Sequence, residues 1–277
     1  MDYGFVSVVL NILQILVLTV IAVLTVLRLR RIKASVILVF YLYGIVCTIL
    51  SDFYWLAMDI MLPEKRIRFG VNEIAEAGLF LLFASTVNIV FRREYNKKKI
   101  YPEVFAAVAY SAGIVCLWIG WTSEWVKDIL SGLALGFLIC STVRLLKASQ
   151  ALKKAEWVVL GTEAFMLLIL QGLIFAVPAY VGKILDIICY VIMFGWMLWM
   201  VVRALYSMTK AHRSRKREEC IQAFSLAMTS FLCAINTMYM SGEPMYNPAY
   251  IISTCTFLML MFAVFSVDRS VYGREGA

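Results

Sequence analysis

Long runs of apolar residues recur along the chain and are separated by short segments rich in charged residues. Each run holds about 18 to 25 residues, which is long enough to cross a hydrocarbon core of ~30 Å as an α-helix. None of the runs alternates apolar and polar positions as the strands of a membrane β-barrel do. The pattern therefore predicts an all-α, polytopic transmembrane helix bundle. The predicted spans are residues 5–28, 34–59, 70–91, 103–121, 126–146, 157–180, 183–206, 220–241 and 249–267.

The composition supports a membrane protein and limits the partners that it would have. Hydrophobic residues make up 62% of the 277 residues and charged residues only 16%, whereas soluble proteins carry roughly a quarter charged residues. The net charge of +8 would suit nucleic-acid binding, but the basic residues are confined to short segments between the spans. We therefore expect one membrane domain, residues 1–277, which contacts the lipid bilayer and has no nucleic-acid partner.

The Lys and Arg residues are distributed unevenly between the two sides of the predicted bundle. Of the 26 such residues, 21 lie in the segments that follow odd-numbered spans. Because short cytoplasmic loops are enriched in Lys and Arg, the N-terminus is predicted outside and the C-terminus in the cytoplasm. This orientation requires an odd number of spans, so nine is the preferred number, and seven with two re-entrant segments is the alternative. The compact loops favour a multi-pass protein of a bacterial, inner-membrane type of plasma membrane.

Acidic residues interrupt the apolar pattern in the second and third spans. Asp52, Trp55 and Asp59 follow one another at steps of three and four residues, so they share one face of a helix. Glu73 and Glu76 share a face of the next helix for the same reason. Asp52 and Glu76 are equally distant in sequence from the middle of the connecting loop, which predicts similar depths in antiparallel neighbours. If these faces meet, several carboxylates converge in the outer third of the bilayer.

Such a cluster would be costly unless it binds something or is neutralised. An ionised carboxylate in hydrocarbon costs ~2.5–3.5 kcal/mol on insertion scales. The acids could hold a proton, a small metal cation or an organic cation placed over the ring of Trp55. The alternative is structural: the basic segment 64–68 or Lys183 neutralises the acids, and a helix N-terminus stabilises Glu73. Asp52 lies deeper and outside any first turn, so we expect it to be the main residue of a binding site.

Two further polar residues are candidates for the same site. Asp186 lies near the outer end of span seven, and Asn236 lies in the outer half of span eight. A polar stripe of span eight consists of Gln222, Ser225, Thr229, Cys233 and Asn236. This spacing puts the stripe on one face, which must contact protein or water rather than lipid. An ion pair with Lys183 would also explain Asp186, and hydrogen bonds between helices would explain the stripe equally well.

Several other residues have simpler structural explanations. Glu163 in span six could be a second proton site, but snorkelling to the interface explains it better. Pro178 should kink or end that span, and the pair Gly132 and Gly136 is typical of close helix packing. The basic segment 210–219 could bind anionic lipid or a protein partner, although positive-inside topology already explains its charge.

The sequence contains few of the residue combinations that metals and cofactors require. His212 is the single histidine, and no Cys-x-x-Cys pair occurs, which argues against haem, a metal cluster or a Ser-His-Asp triad. The seven cysteines are expected to be small apolar packing residues. We therefore expect no metal and no cofactor, and an enzyme is less favoured than a binding protein.

One short segment resembles a known family. Residues Gly44 to Asp52 read GIVCTILSD and are followed by FYWLA. This Gly-x6-Ser-Asp-x3-Leu-Ala pattern resembles that of the YhhN-type membrane lysoplasmalogenases, multi-helix enzymes whose intramembrane acids are implicated in cleaving a vinyl ether. The resemblance covers residues 44–57, and we find no second acidic motif of that family. It implies an intramembrane lipid hydrolase that uses Asp52 with a second acid from Asp59, Glu73 or Glu76.

Three functional hypotheses follow from these observations. The leading one is a transporter or sensor that binds a small cation, a proton or an organic ligand in an outward-facing acidic and aromatic site. The alternatives are the intramembrane lipid hydrolase and a membrane subunit that signals or assembles through a protein partner at the cytoplasmic basic loops. The candidate binding residues are Asp52, Trp55, Asp59, Glu73, Glu76, Asp186 and Asn236.

Overall fold

The computed structural model describes residues 3–31, 35–61, 71–95, 101–122, 125–174, 176–240 and 246–272. Nine α-helices and no strand occur in these ranges, and all nine helices are long and apolar enough to cross a membrane. They are α1 (Tyr3–Arg31), α2 (Val36–Met61), α3 (Val71–Glu94), α4 (Pro102–Thr122), α5 (Trp125–Ala148), α6 (Lys154–Ile174), α7 (Ala179–Ser214), α8 (Arg217–Met240) and α9 (Tyr246–Tyr272). Each predicted span corresponds to one helix, so the prediction of an all-α bundle of nine spans is confirmed.

One difference from the predicted boundaries lies around Pro178. The sequence predicts a sixth span that continues to residue 180, but α6 ends at Ile174 and α7 begins at Ala179. Pro178 precedes α7 as its N-cap residue, with φ −57° and ψ 147°. A proline has no N–H to donate inside a helix but is tolerated at a helix start. Pro178 therefore separates two helices rather than kinking one.

A second difference is the length of α7, which continues to Ser214, past the predicted end at residue 206. Arg215, with φ 55° in the left-handed region, ends the helix and donates its backbone N–H to the carbonyl of Ala211. The basic segment 210–219, expected as a loop, consists mainly of the last turn of α7 and the first turn of α8. Hydropathy detects only the apolar part of a helix, so it does not locate a helix end that lies beyond the lipid.

Ion pairs join the helices at the end of the bundle where most Lys and Arg residues lie, which we call the basic end. Arg28 Nε of α1 lies 3.2 Å from Asp268 Oδ2 of α9, and Asp268 is fully buried. Arg203 of α7 pairs with Glu156 of α6 at 3.2 Å. Further pairs join Lys147 to Glu103 and Arg217 to Glu94. Each pair links two helices. The side of the membrane that the basic end faces stays a prediction from loop charge.

The helices differ strongly in how much of each is buried. In the apolar stretch of α8, 78% of the residues are buried, whereas the value is 11% in both α4 and α6. Since α8 also packs against α5, α7 and α9, it lies near the centre of the bundle. Beside it, the ring of Phe83 contacts the rings of Tyr41, Phe231 and Phe257, with centroids 5.4 to 6.5 Å apart. These four residues, here called the aromatic cluster, lie within the apolar core of α2, α3, α8 and α9.

α5 approaches α4 closely at two glycines. A Cβ atom added at Gly136 would lie 2.9 Å from Ser111 Cβ, and one added at Gly132 would overlap the side chain of Val115. The two glycines therefore allow the helix backbones to approach each other, which confirms the predicted role of this pair in helix packing.

Candidate functional site

A cavity of about 530 Å³, here called the acidic chamber, lies at the end of the bundle opposite the basic end. It is lined by α1, α2, α3, α4, α5, α8 and α9, close to where α1, α3, α5 and α9 begin and where α2, α4 and α8 end. Its charged lining residues are Asp52, Glu73, Glu76, Lys127 and Asp128. A cavity of this size is within the range of ~300–1,000 Å³ that is usual for small-molecule sites.

Asp52 is positioned by a glutamine from another helix. Asp52 is only 6% exposed, and Gln14 Nε2 of α1 donates a 2.9 Å hydrogen bond to Asp52 Oδ2. Gln14 Oε1 in turn accepts a 2.6 Å hydrogen bond from the hydroxyl of Thr254 in α9. Because both ends of the amide are engaged, Gln14 fixes the orientation of the carboxylate. The other oxygen, Asp52 Oδ1, has no hydrogen bond within the described part of the chain, and Asp52 lines the chamber.

The two glutamates of α3 have different neighbours. Ser51 Oγ of α2 donates a 3.1 Å hydrogen bond to Glu76 Oε1. Lys127 Nζ of α5 lies 3.8 Å from Glu73 Oε1, which is near the limit for an ion pair. Glu73 Oε2 is buried and has no hydrogen-bond partner among the described residues. Glu73 is thus only partly neutralised by protein groups.

The described lining of the acidic chamber carries more acidic than basic groups. Of the five charged residues in this described lining, four have a carboxyl group and one has an ammonium group. The hydroxyl groups of Ser131 and Ser253 are buried in the same lining and have no hydrogen-bond partner in the described part of the chain. Buried polar and charged groups are costly unless they are paired, so a ligand with a positive charge and hydrogen-bonding groups would complement this lining.

Aromatic side chains form another part of the chamber wall. Trp55, Trp118 and Tyr250 line the chamber together with Phe80 and Phe257. Phe257 is also a member of the aromatic cluster. A cation is attracted to the face of an aromatic ring, so this part of the wall is chemically suited to a cation.

The structure brings four of the seven predicted binding residues to one cavity. Asp52, Trp55, Glu73 and Glu76 all line the acidic chamber. The side chain of Asp59 and the basic segment 64–68 lie outside the described residues. Asp186 lines neither the chamber nor the second cavity that we describe next.

Asn236 lies in a different cavity from the acids. Successive residues of an α-helix are rotated by about 100°. Ile235 and Met238 of α8 therefore face the acidic chamber, while Asn236 and Cys233 face a second cavity. This side cavity has a volume of about 320 Å³ and lies between α4, α5, α6, α7 and α8. The expectation that Asn236 lies near the acid cluster is corrected accordingly.

Several residues of the chamber were not singled out from the sequence as site residues. For one of them, Gln14, a signal exists. Asn11 and Gln14 are polar residues three positions apart in an otherwise apolar span, which places them on one helix face. Lys127 and Asp128 are charged residues at the start of a span, where interfacial charge is common. Thr254, which donates to Gln14 but is not a lining residue, carries no signal, because hydroxyl side chains occur in many spans as internal hydrogen-bond donors.

Comparison of the chain with models of known protein families, with curated proteins and with solved structures gave no match.

Proposed function

We propose that the protein binds a small organic cation, such as an amine or a quaternary ammonium ion, in the acidic chamber. The observation that carries this proposal is the excess of carboxyl groups over ammonium groups among the described residues of one cavity with aromatic walls. The carboxylates would attract the charge, and apolar groups of the ligand would contact the rings of Trp55, Trp118 and Tyr250. Asp52 is the expected contact for the charge, because it lines the chamber and Gln14 Nε2 donates to only one of its two oxygens, Oδ2.

The ligand would enter from the outer side of the membrane. The basic end is predicted to face the cytoplasm, and the acidic chamber lies at the opposite end. Passage from the chamber toward the basic end would require rings such as Phe83 and Phe257 to move apart. We therefore propose ligand binding first. The bound ligand could then be transported across the membrane or sensed by the protein.

Binding of choline and of tetramethylammonium to the purified protein in lipid nanodiscs, measured by calorimetry, tests the proposal. We expect saturable binding that Asp52→Asn weakens at least about tenfold, or roughly 1.4 kcal/mol, because the full negative charge is lost. Gln14 Nε2 can still donate to the amide oxygen of the variant, so the fold should be retained. The matched control is Asp186→Asn, which removes a carboxylate that does not line the chamber and should leave binding unchanged.

Absence of binding for both cations, or equal binding by wild type and Asp52→Asn, would contradict the proposal. Where binding is found, uptake of the same radiolabelled cation into proteoliposomes separates the two uses. A transporter shows uptake that depends on an ion gradient and is lost in Asp52→Asn, whereas a sensor binds without uptake.

A further inference from the structure

The side cavity contains a carboxylate that no group in the described part of the chain neutralises. Glu163 of α6 lines this cavity and forms no ion pair and no hydrogen bond within the described part of the chain. No Lys or Arg is among the described lining residues; Lys147, whose Nζ lies 5.5 Å from the ring centroid of the lining residue Trp157, is paired with the other carboxylate there, Glu103. An unpaired carboxylate inside a membrane is costly, and a bound cation would offset that cost.

Other polar groups of the side cavity are also without partners. Thr142 of α5 lines the cavity, is 1% exposed, and its hydroxyl has no hydrogen-bond partner in the described part of the chain. The indole N–H of Trp196 in α7 is likewise buried and unpaired. A ligand with a hydrogen-bonding group could therefore form hydrogen bonds with the Thr142 hydroxyl and the Trp196 indole N–H.

The rest of the lining is apolar and aromatic. Trp157, Phe165 and Tyr110 contribute rings, and most other lining residues are aliphatic. The cavity lies beside α4 and α6, in each of which only 11% of the apolar stretch is buried, so these two helices are the ones most exposed to lipid. A molecule dissolved in the bilayer would thus be close to the cavity without crossing an aqueous path.

We propose that the side cavity binds a lipophilic organic cation, a molecule with one positive charge on a large apolar body, that reaches it from the membrane. Its charge would lie against Glu163, and its apolar body would contact the rings of Trp157, Trp196 and Tyr110. The site is separate from the acidic chamber, because the two cavities lie against different faces of α8. This proposal therefore does not depend on the function proposed for the chamber.

Equilibrium binding of radiolabelled tetraphenylphosphonium to the full-length protein in phosphatidylcholine nanodiscs tests the site. We expect saturable binding to wild type, and a loss of affinity of at least about tenfold in Glu163→Gln, which removes the charge and keeps the shape. Asp186→Asn, which removes a carboxylate that lines neither cavity, should bind the probe as wild type does. Triphenylphosphine oxide, a neutral molecule with a similar apolar body, should not displace the probe.

A second variant blocks the cavity by size and does not touch the carboxylate. Gly161 of α6 lines the cavity, and a Cβ atom added there meets no atom within 4 Å, so Gly161→Leu extends into open space. We expect this variant to lose the probe. Its matched control is Gly195→Leu on α7, which also meets open space but does not line the cavity and should bind normally.

Three results would overturn the proposal. They are the absence of saturable binding to wild type, unchanged binding in either Glu163→Gln or Gly161→Leu, and displacement of the probe by the neutral oxide. If Glu163→Gln does not fold, the comparison of Gly161→Leu with Gly195→Leu decides the matter alone.

Discussion

The glycine, serine and aspartate of the Gly-x6-Ser-Asp segment each contact a residue of another helix. Gly44 lies against the ring of Phe83, Ser51 donates to Glu76, and Asp52 accepts from Gln14. Helix packing and the lining of the acidic chamber therefore account for these residues. The segment that resembles the lysoplasmalogenase pattern is thus compatible with a binding site as well as with a hydrolase.

The contact between Gly44 and Phe83 gives a prediction for stability. A Cβ atom at residue 44 would lie 2.5 Å from Phe83 Cε1, and Phe83 is fully buried in the aromatic cluster. Gly44→Ala has to displace this ring, so we expect a loss of ~1–3 kcal/mol in the free energy of unfolding. Thermal unfolding of the detergent-solubilised protein measures the difference as a lower melting temperature.

Gly195→Ala is the control for that experiment. Its added Cβ meets no atom within 4 Å, and alanine favours a helix by about 1 kcal/mol over glycine. The melting temperature should therefore stay the same or rise. Equal melting temperatures for Gly44→Ala and Gly195→Ala would show that the Phe83 ring moves without cost.

Among the helices, α8 is the least apolar and also the most buried. Its polar stripe contacts protein along its length: Gln222 Nε2 donates to the carbonyl of Ser149 at 2.9 Å, and the hydroxyl groups of Ser225 and Ser149 are 3.1 Å apart. Thr229 and Asn236, further along the stripe, line the side cavity. A helix that is surrounded by other helices can carry polar groups, because protein partners satisfy them where lipid cannot.

The pair of Arg28 and Asp268 ties α1 to α9 and gives a second prediction for stability. Asp268 also accepts a hydrogen bond from Ser35, and Arg28 is only 15% exposed. Asp268→Asn would leave the Arg28 charge without its counter-charge, and breaking a buried pair in this way costs about 3–5 kcal/mol. We expect a clear fall in melting temperature and in the yield of monodisperse protein in size-exclusion chromatography.

An exposed ion pair of the same basic end is the control. Lys210 Nζ lies 3.4 Å from Glu219 Oε1, and the Lys210 side chain is 58% exposed. Water and salt already screen such a pair, so Lys210→Gln should change the melting temperature little. If the melting temperature falls equally in Asp268→Asn and Lys210→Gln, then the burial of Asp268 does not determine how much its ion pair contributes to stability.

At the scale of the whole molecule, the two cavities are separated by α8 and differ in chemistry. The acidic chamber has several carboxyl groups and lies at the end opposite the basic end, whereas the side cavity has an apolar lining with one unpaired carboxylate. The arrangement predicts two ligands of different polarity, one from the aqueous phase and one from lipid.

The orientation of the bundle in the membrane is open to a direct measurement. Lys183 and Arg213 are exposed at the two ends of α7, the first near its start and the second in the basic segment. In a variant without the native cysteines, Lys183→Cys should react with a membrane-impermeant maleimide in intact cells. Arg213→Cys should react only after the cells are permeabilised. The opposite result would reverse the predicted topology and place the acidic chamber at the cytoplasmic side.

The membrane class, the helical fold and the nine spans could be predicted from the sequence. These properties are local, because lipid requires about 20 consecutive apolar residues and a helical backbone for each crossing. The acids of the second and third spans could also be found, since charge is rare inside such spans. The ends of α6 and α7 were predicted less well, because hydropathy marks the lipid boundary rather than the end of the helix.

Only the tertiary structure decided which helix faces meet. In lipid there is no hydrophobic driving force between helices, so an apolar side does not indicate a buried side. A periodic pattern therefore does not predict that α8 is rotated so that Asn236 faces the side cavity. It also does not predict that Gln14 contacts Asp52. Both features result from packing of small residues and from hydrogen bonds between distant spans. The sequence by itself determined how the chain crosses the membrane, and the packing of the helices determined which polar residues share a cavity.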